Sequence, residues 1–145
     1  MSVVTQISPK EALELLQKDQ HSVLVDVRTF EEFNFAGFPN ADSFNNRLIL
    51  LPWQIFPTME ENSEFDSGLE ESIKEIFNGI NPTEIKTIFL CKVGGRSTQA
   101  AAHVVNLGYK NSYNIINGFE GDLNELGQRG KINGWKAQNL PWRQK

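Results

Sequence analysis

Cys91 is the single cysteine of the 145-residue chain, and its neighbours suit a thiolate nucleophile. Lys92 and Val93 follow it, then the pair Gly94 and Gly95, then Arg96 and Ser97. Lacking Cβ atoms, the two glycines let the loop curl and turn consecutive backbone N–H groups inward. Those N–H groups, the dipole of a following helix and the charges of Lys92 and Arg96 all favour an anion in the loop. A thiol at the rim of such a loop is held as thiolate, its reactive form. A lone cysteine at a strand end is more often a small buried hydrophobe. The glycine pair, the flanking cations and the helix start together set this one apart. With no second cysteine, a Cys-x-x-Cys redox cycle is excluded, and whatever Cys91 carries must be resolved by an outside acceptor. Cys91, His21 and His103 have no metal-ligand spacing, so no metal and no cofactor are expected.

Such a loop needs a strand before it and a helix after it. The β-branched and aromatic residues Thr87, Ile88, Phe89 and Leu90 read as a buried strand ending at Cys91. Residues 98–107, rich in alanine, read as a helix that small side chains let sit close to a sheet, with Gly108 as its C-cap. Upstream, Ser8, Pro9 and Glu11 form a capping box that opens a helix running to about Lys18. Residues 23–27 are nearly all apolar, as in a central parallel strand covered on both faces. Thr29 and Glu32 form a second capping box, opening a short helix to about Phe35 in which Arg28 and Glu32 are placed to pair. The segment Leu48–Phe56 is extended and interrupted by Pro52, with Trp53 and Phe56 as core or pocket-wall residues. Residues 59–66 read as an exposed loop. A third capping box at Ser67 opens a helix whose stripe is Leu69, Ile73, Ile76, Phe77 and Ile80. Residues 111–117 form the next strand. Strands alternate with helices throughout, with no repeat or linker. The expectation is one α/β domain over residues 1–145, with a central, mainly parallel sheet and helices on both faces. Cys91 then lies at the carboxyl end of a strand, where such sheets bind ligands.

The loop from Cys91 to Arg96 resembles the Cys-x-x-Gly-x-Arg active-site loop of the rhodanese (sulfurtransferase) family. The likeness continues along the chain. Asp26-Val27-Arg28 with Glu32 resembles the family's first motif. Pro39 and Ala41 match its Gly-His-Ile-Pro-Gly-Ala turn, although Gly37 stands at the histidine and Asn40 at the glycine. Asn117-Gly118-Phe119 resembles the Gly-Gly-x turn that flanks the active site, which puts Phe119 at the pocket mouth. Trp135 to Trp142 resembles the closing Trp-x-x-x-Gly-Leu-Pro segment, with Asn139 replacing the glycine as the next best residue for a left-handed backbone. The resemblance implies that Cys91 takes a sulfane sulfur from a donor such as thiosulfate, holds it as a persulfide and passes it to cyanide or a thiol. It implies substrate binding by Lys92, Val93, Gly94, Gly95 and Arg96, whose N–H groups cradle the persulfide. Cysteine phosphatases, including those that share this fold, use Cys-x5-Arg loops, one residue longer; phosphatase or arsenate reductase activity is the runner-up enzyme reading. A non-turnover sulfur carrier or partner-binding module is the other alternative.

Composition bounds the partners. The net charge is −4 and the isoelectric point about 5.2, against nucleic-acid binding. The longest apolar run, Leu48 to Leu51, is too short to cross a bilayer. The N-terminus lacks the pattern of a secretory signal, and a lone cysteine suits a reducing compartment. The expectation is a cytoplasmic protein that meets a small anionic sulfur donor and a thiol or protein acceptor. The acidic cluster around residues 60–75 and the basic residues from Arg129 onward read as solvated faces.

Overall fold

The computed structural model describes residues 3–144. In chain order, β1 (Thr5–Ile7) leads to α1 (Pro9–Lys18), then β2 (Ser22–Asp26), α2 (Phe30–Ala36) and the short β3 (Phe38–Pro39). Next come β4 (Leu48–Leu50), β5 (Gln54–Ile55), β6 (Glu60–Glu61) and α3 (Phe65–Ile76). The chain ends with β7 (Lys86–Leu90), α4 (Gly95–Asn106), β8 (Ser112–Ile115) and β9 (Trp142–Arg143). Five strands form a parallel sheet in the order β1-β8-β7-β2-β4. The expected α/β architecture is therefore the one observed, and β7, which carries Cys91 at its end, is the middle strand.

The sheet is buried on both faces, which is why β2 alternates nothing: all five of its residues are buried. Val23 and Val25 face α3 and α4, in a core with Leu69, Ile73, Ala100, Ala101 and Val104. Leu24 faces the other way, toward Ala12 and Leu16 of α1, Phe44, Phe119 and Trp135. Two of the three expected capping boxes are present. Ser8 Oγ accepts from the Glu11 N–H and Glu11 Oε1 from the Ser8 N–H, and Thr29 and Glu32 do the same for α2. The third is not. α3 begins two residues before Ser67, behind Glu64, with no side-chain cap. Burying Phe65 against Trp53 sets that start. The stretch expected as an exposed loop accordingly holds β6, paired antiparallel with β5 in a hairpin, and a core residue. Trp53 is core as expected, with its indole N–H donating to Gln99 at 3.3 Å.

Candidate active site

Cys91 follows the last residue of β7, and α4 starts at Gly95, so the loop between them is three residues long. So short a link needs Gly94, whose φ of +114° is one an L side chain rarely adopts. The Gly94 N–H points at Cys91 Sγ, 3.1 Å away. Among the described residues, the N–H groups of Lys92, Val93, Gly95 and Arg96 have no protein acceptor. Gly95 and Arg96 open α4, whose first N–H groups have no intrahelical partner. The carbonyls of the loop are turned the other way. Cys91 O accepts from the Phe119 N–H at 2.8 Å, and Lys92 O from Glu120 and Gly121 at 3.1 and 3.2 Å. The turn at Gly118 thus ties down the acceptors and leaves the loop's N–H groups free of protein acceptors, save that of Gly94 on the sulfur. Gly118 itself has φ of +64°, and a Cβ there would stand 2.5 Å from Cys91 O and from Lys92 C and O.

Three expectations change here. Cys91 lies at the base of the loop, fully buried in the α3–α4 core, and not at the rim. Arg28 does not pair with Glu32. Its guanidinium runs inward and chelates Asp26, with Nε to Oδ1 at 2.9 Å and Nη2 to Oδ2 at 2.6 Å, both side chains fully buried. Glu32 instead takes Arg96 in a two-pronged pair, at 2.5 and 2.8 Å. Burial alone would raise the Glu32 carboxyl, but the hydrogen bonds from Arg96 and the Thr29 backbone outweigh it and hold it down to about 2. Phe119 does not line the mouth. It is fully buried, its ring 4.1 Å from the Arg28 guanidinium and edge-on to Trp142.

Arg96 is therefore a clamp first and a cation second. The loop residue left with an unpaired charge is Lys92, which has no acidic partner within salt-bridge distance among the described residues. Sequence reasoning also missed a polar relay behind the sulfur. Ser97 Oγ is 3.2 Å from Cys91 Sγ and 2.5 Å from Asn114 Oδ1, and Asn114 Nδ2 donates to Gln6 Oε1 at 2.8 Å. A serine has one proton. Asn114 takes it at the shorter distance, so Ser97 Oγ faces the sulfur as an acceptor for an S–H.

A family model for the rhodanese-like domain matches residues 8–125. The chain belongs to the rhodanese-like family. That match takes in the whole Cys91 loop and stops short of the closing segment at Trp135. The chain is also similar to individual proteins and to a solved structure. The Rickettsia conorii protein RC0915 is 38% identical over 139 residues, which are 96% of this chain and 97% of that protein. The thiosulfate sulfurtransferase GlpE of Haemophilus influenzae is 29% identical over 116 residues, 80% of this chain and 85% of its own. The crystal structure of Rv0390 from M. tuberculosis superposes with a TM-score of 0.85 at 34% identity, covering 99% of this chain and 100% of that one. Rhodanese-like geometry in this chain comes with several of its own residues at family positions. Asn139 does hold the left-handed backbone expected of the glycine it replaces, at φ of +58°. Trp135 is fully buried, its indole N–H donating to Pro141 O at 2.8 Å. No described helix is long and apolar enough to cross a membrane, and the described residues hold no cluster of His, Cys, Asp and Glu suited to a metal ion.

Proposed function

We propose that this single domain is a sulfurtransferase that moves a sulfane sulfur from an anionic donor such as thiosulfate, through a persulfide on Cys91, to cyanide or a thiol. The observation that carries the reading is a sulfur that accepts the Gly94 N–H, in a loop at the N-terminus of α4 whose other N–H groups have no protein acceptor. Such donors stabilise negative charge in a site that excludes water. They stabilise the thiolate before transfer and the persulfide after it.

The Cys91 thiolate attacks the outer sulfur of the donor. The donor S–S bond breaks, its electron pair leaves with sulfite, and a new S–S bond forms on Cys91. The acceptor then attacks that outer sulfur and returns the thiolate. Because Cys91 is buried, turnover requires the loop to admit one sulfur atom. Lys92 steers the anion. Arg96, bound to Glu32, closes the loop and contributes a charge that its partner largely cancels. A phosphatase would need that arginine free for a phosphate, so the pairing counts against the longer-loop chemistry, as does the Cys-x4-Arg length. A reducing cytoplasm suits a lone catalytic thiol.

Intact mass of the reduced protein, taken after thiosulfate and again after cyanide, tests the reading. The expected result is a gain of one sulfur atom that cyanide removes and that Cys91→Ser lacks. Sulfur transfer retained in Cys91→Ser would overturn it.

A further inference from the structure

Gln6 and Asn114 are register partners on the parallel strands β1 and β8, so their side chains leave the sheet on one face. Their amides meet there, Asn114 Nδ2 donating to Gln6 Oε1 at 2.8 Å. The other end of the Asn114 amide reaches Ser97 Oγ, which lies 3.2 Å from Cys91 Sγ. Ser97 and Asn114 are buried, whereas Gln6 is exposed on the edge strand of the sheet. The relay thus runs from the buried nucleophile to the surface.

An amide presents an oxygen at one end and an NH2 group of nearly the same shape at the other. The relay therefore has two self-consistent settings. In the one observed, the Ser97 proton goes to Asn114 Oδ1, and Ser97 is left to accept from the sulfur. With both amides turned over, Gln6 Nε2 donates to Asn114 Oδ1 and Asn114 Nδ2 donates to Ser97 Oγ. The Ser97 proton then faces the sulfur. The Gly94 carbonyl, 3.3 Å from Ser97 Oγ, is the more distant acceptor for that proton. Turning Asn114 alone would set its oxygen against the Gln6 oxygen, so the two amides turn as a pair. The first setting suits a thiol, which has a proton to give. The second suits a thiolate, which can only accept.

We infer that Gln6 and Asn114 are positioning residues of sulfur transfer: their amides turn over together and so switch Ser97 between accepting from the Cys91 thiol and donating to its thiolate. The use of the switch in turnover rests on the sulfurtransferase reading. Gln6 meets water and turns at little cost, whereas buried Asn114 keeps its hydrogen bonds only if Gln6 turns with it. The charged groups around the loop are Lys92 and Arg96 on it, Glu32 from α2, the Asp26–Arg28 pair at the end of β2, and Glu120 and Lys136 beyond β8. None of them belongs to the relay, and all are the same in every variant below.

Residue 6 carries the test, because an exposed position tolerates a charge. Gln6→Glu offers acceptors only and holds Asn114 in the observed setting. Gln6→Lys offers donors only and holds the reverse. The ultraviolet absorbance of the thiolate, taken against Cys91→Ser as pH is raised, reads the outcome without a sulfur donor or turnover. The midpoint of ionisation is expected to lie roughly one pH unit lower in Gln6→Lys than in Gln6→Glu, the change that one hydrogen bond to a charged group makes. The unaltered protein should fall between them. A charge at residue 6 also acts through space, in the same direction. The separation should therefore persist at about 1 M salt, which screens an exposed charge, and vanish in an Asn114→Leu background, where the amide path is cut. Thermal melting checks that each variant is folded. Coincident midpoints overturn the switch, as does a separation that high salt abolishes or that survives Asn114→Leu. If thiosulfate gives the persulfide while the midpoints coincide, only the switch falls. If the midpoints separate as expected while no donor gives the persulfide, only the sulfurtransferase reading falls.

Discussion

Replacing Glu32 by glutamine separates two jobs that one carboxylate does. The new amide keeps an acceptor oxygen for the Thr29 N–H, so the capping box of α2 survives, while the charge facing Arg96 is lost. Burial would raise the Glu32 carboxyl, yet the hydrogen bonds from Arg96 and the Thr29 backbone hold it down from 4.5 to about 2 in the folded protein. Folding lowers this group's proton affinity, so its stabilising contribution is complete above pH 4.5 and is lost as pH falls toward 2. At 1.4 kcal/mol for each tenfold change in affinity, it is worth about 3 kcal/mol at pH 7 and about 1 kcal/mol at pH 3. Both side chains are about one-fifth exposed, at 18% and 22%, so solvent screening removes little of this. Urea unfolding of the two proteins at pH 7 and pH 3 should show a cost near the first figure shrinking to near the second. The same change releases the Arg96 charge beside the loop. An added, partly exposed cation is worth up to about 1 kcal/mol to an anion, so the KM for thiosulfate should fall by up to about fivefold, and less in high salt. A cost below about 1 kcal/mol at pH 7, or one that does not change by pH 3, would refute the assignment of Glu32 to the loop clamp. An unaltered KM would refute the neutralisation of Arg96.

Gly118→Ala should be among the most damaging substitutions, because its Cβ meets Cys91 and Lys92 backbone at 2.5 Å in a left-handed conformation. A loss of roughly 2–4 kcal/mol is expected from the strain and the displaced backbone, measurable by denaturant unfolding together with loss of persulfide formation. The relay predicts the same direction at both ends. Ser97→Ala removes the acceptor of the Cys91 S–H, and Asn114→Leu frees the Ser97 proton to turn toward the sulfur. Each should speed iodoacetamide alkylation at neutral pH, and a slower rate in either variant would rule the relay out.

What the sequence carried was local. Two capping boxes, the buried run of β2 and the strand, loop and helix around Cys91 are set by residues within a few positions of one another, and each is present. The left-handed backbone at Asn139 is of the same kind. What escaped was decided by tertiary contact. Arg28 and Glu32 stand one helical turn apart and invite pairing, yet burial turns Arg28 back onto Asp26, and the fold brings Arg96 to Glu32 from far along the chain. The start of α3 was obscured because Glu64 supplies no cap and the burial of Phe65 fixes it instead. Phe119 followed its motif in sequence, but Arg28 covers the ring. The relay joins residues 6, 91, 97 and 114 from four separate segments and leaves no pattern along the chain.

The pairing of β1 with β8 puts the first strand of the chain beside the last strand of the central sheet to be made, and this has a consequence for biosynthesis. The thiol is made before the groups that enclose it: Asn114 and the Gly118 turn come later in the chain, while Gln6 waits from the start. At about 5–20 residues per second, the stretch from Cys91 to Ile115 takes one to several seconds to be added. Until β8 inserts between β1 and β7, the loop has neither its carbonyl anchors nor its relay. A nascent chain therefore presents Cys91 unenclosed, open to oxidants, and acquires the buried loop around the sulfur only when the sheet closes.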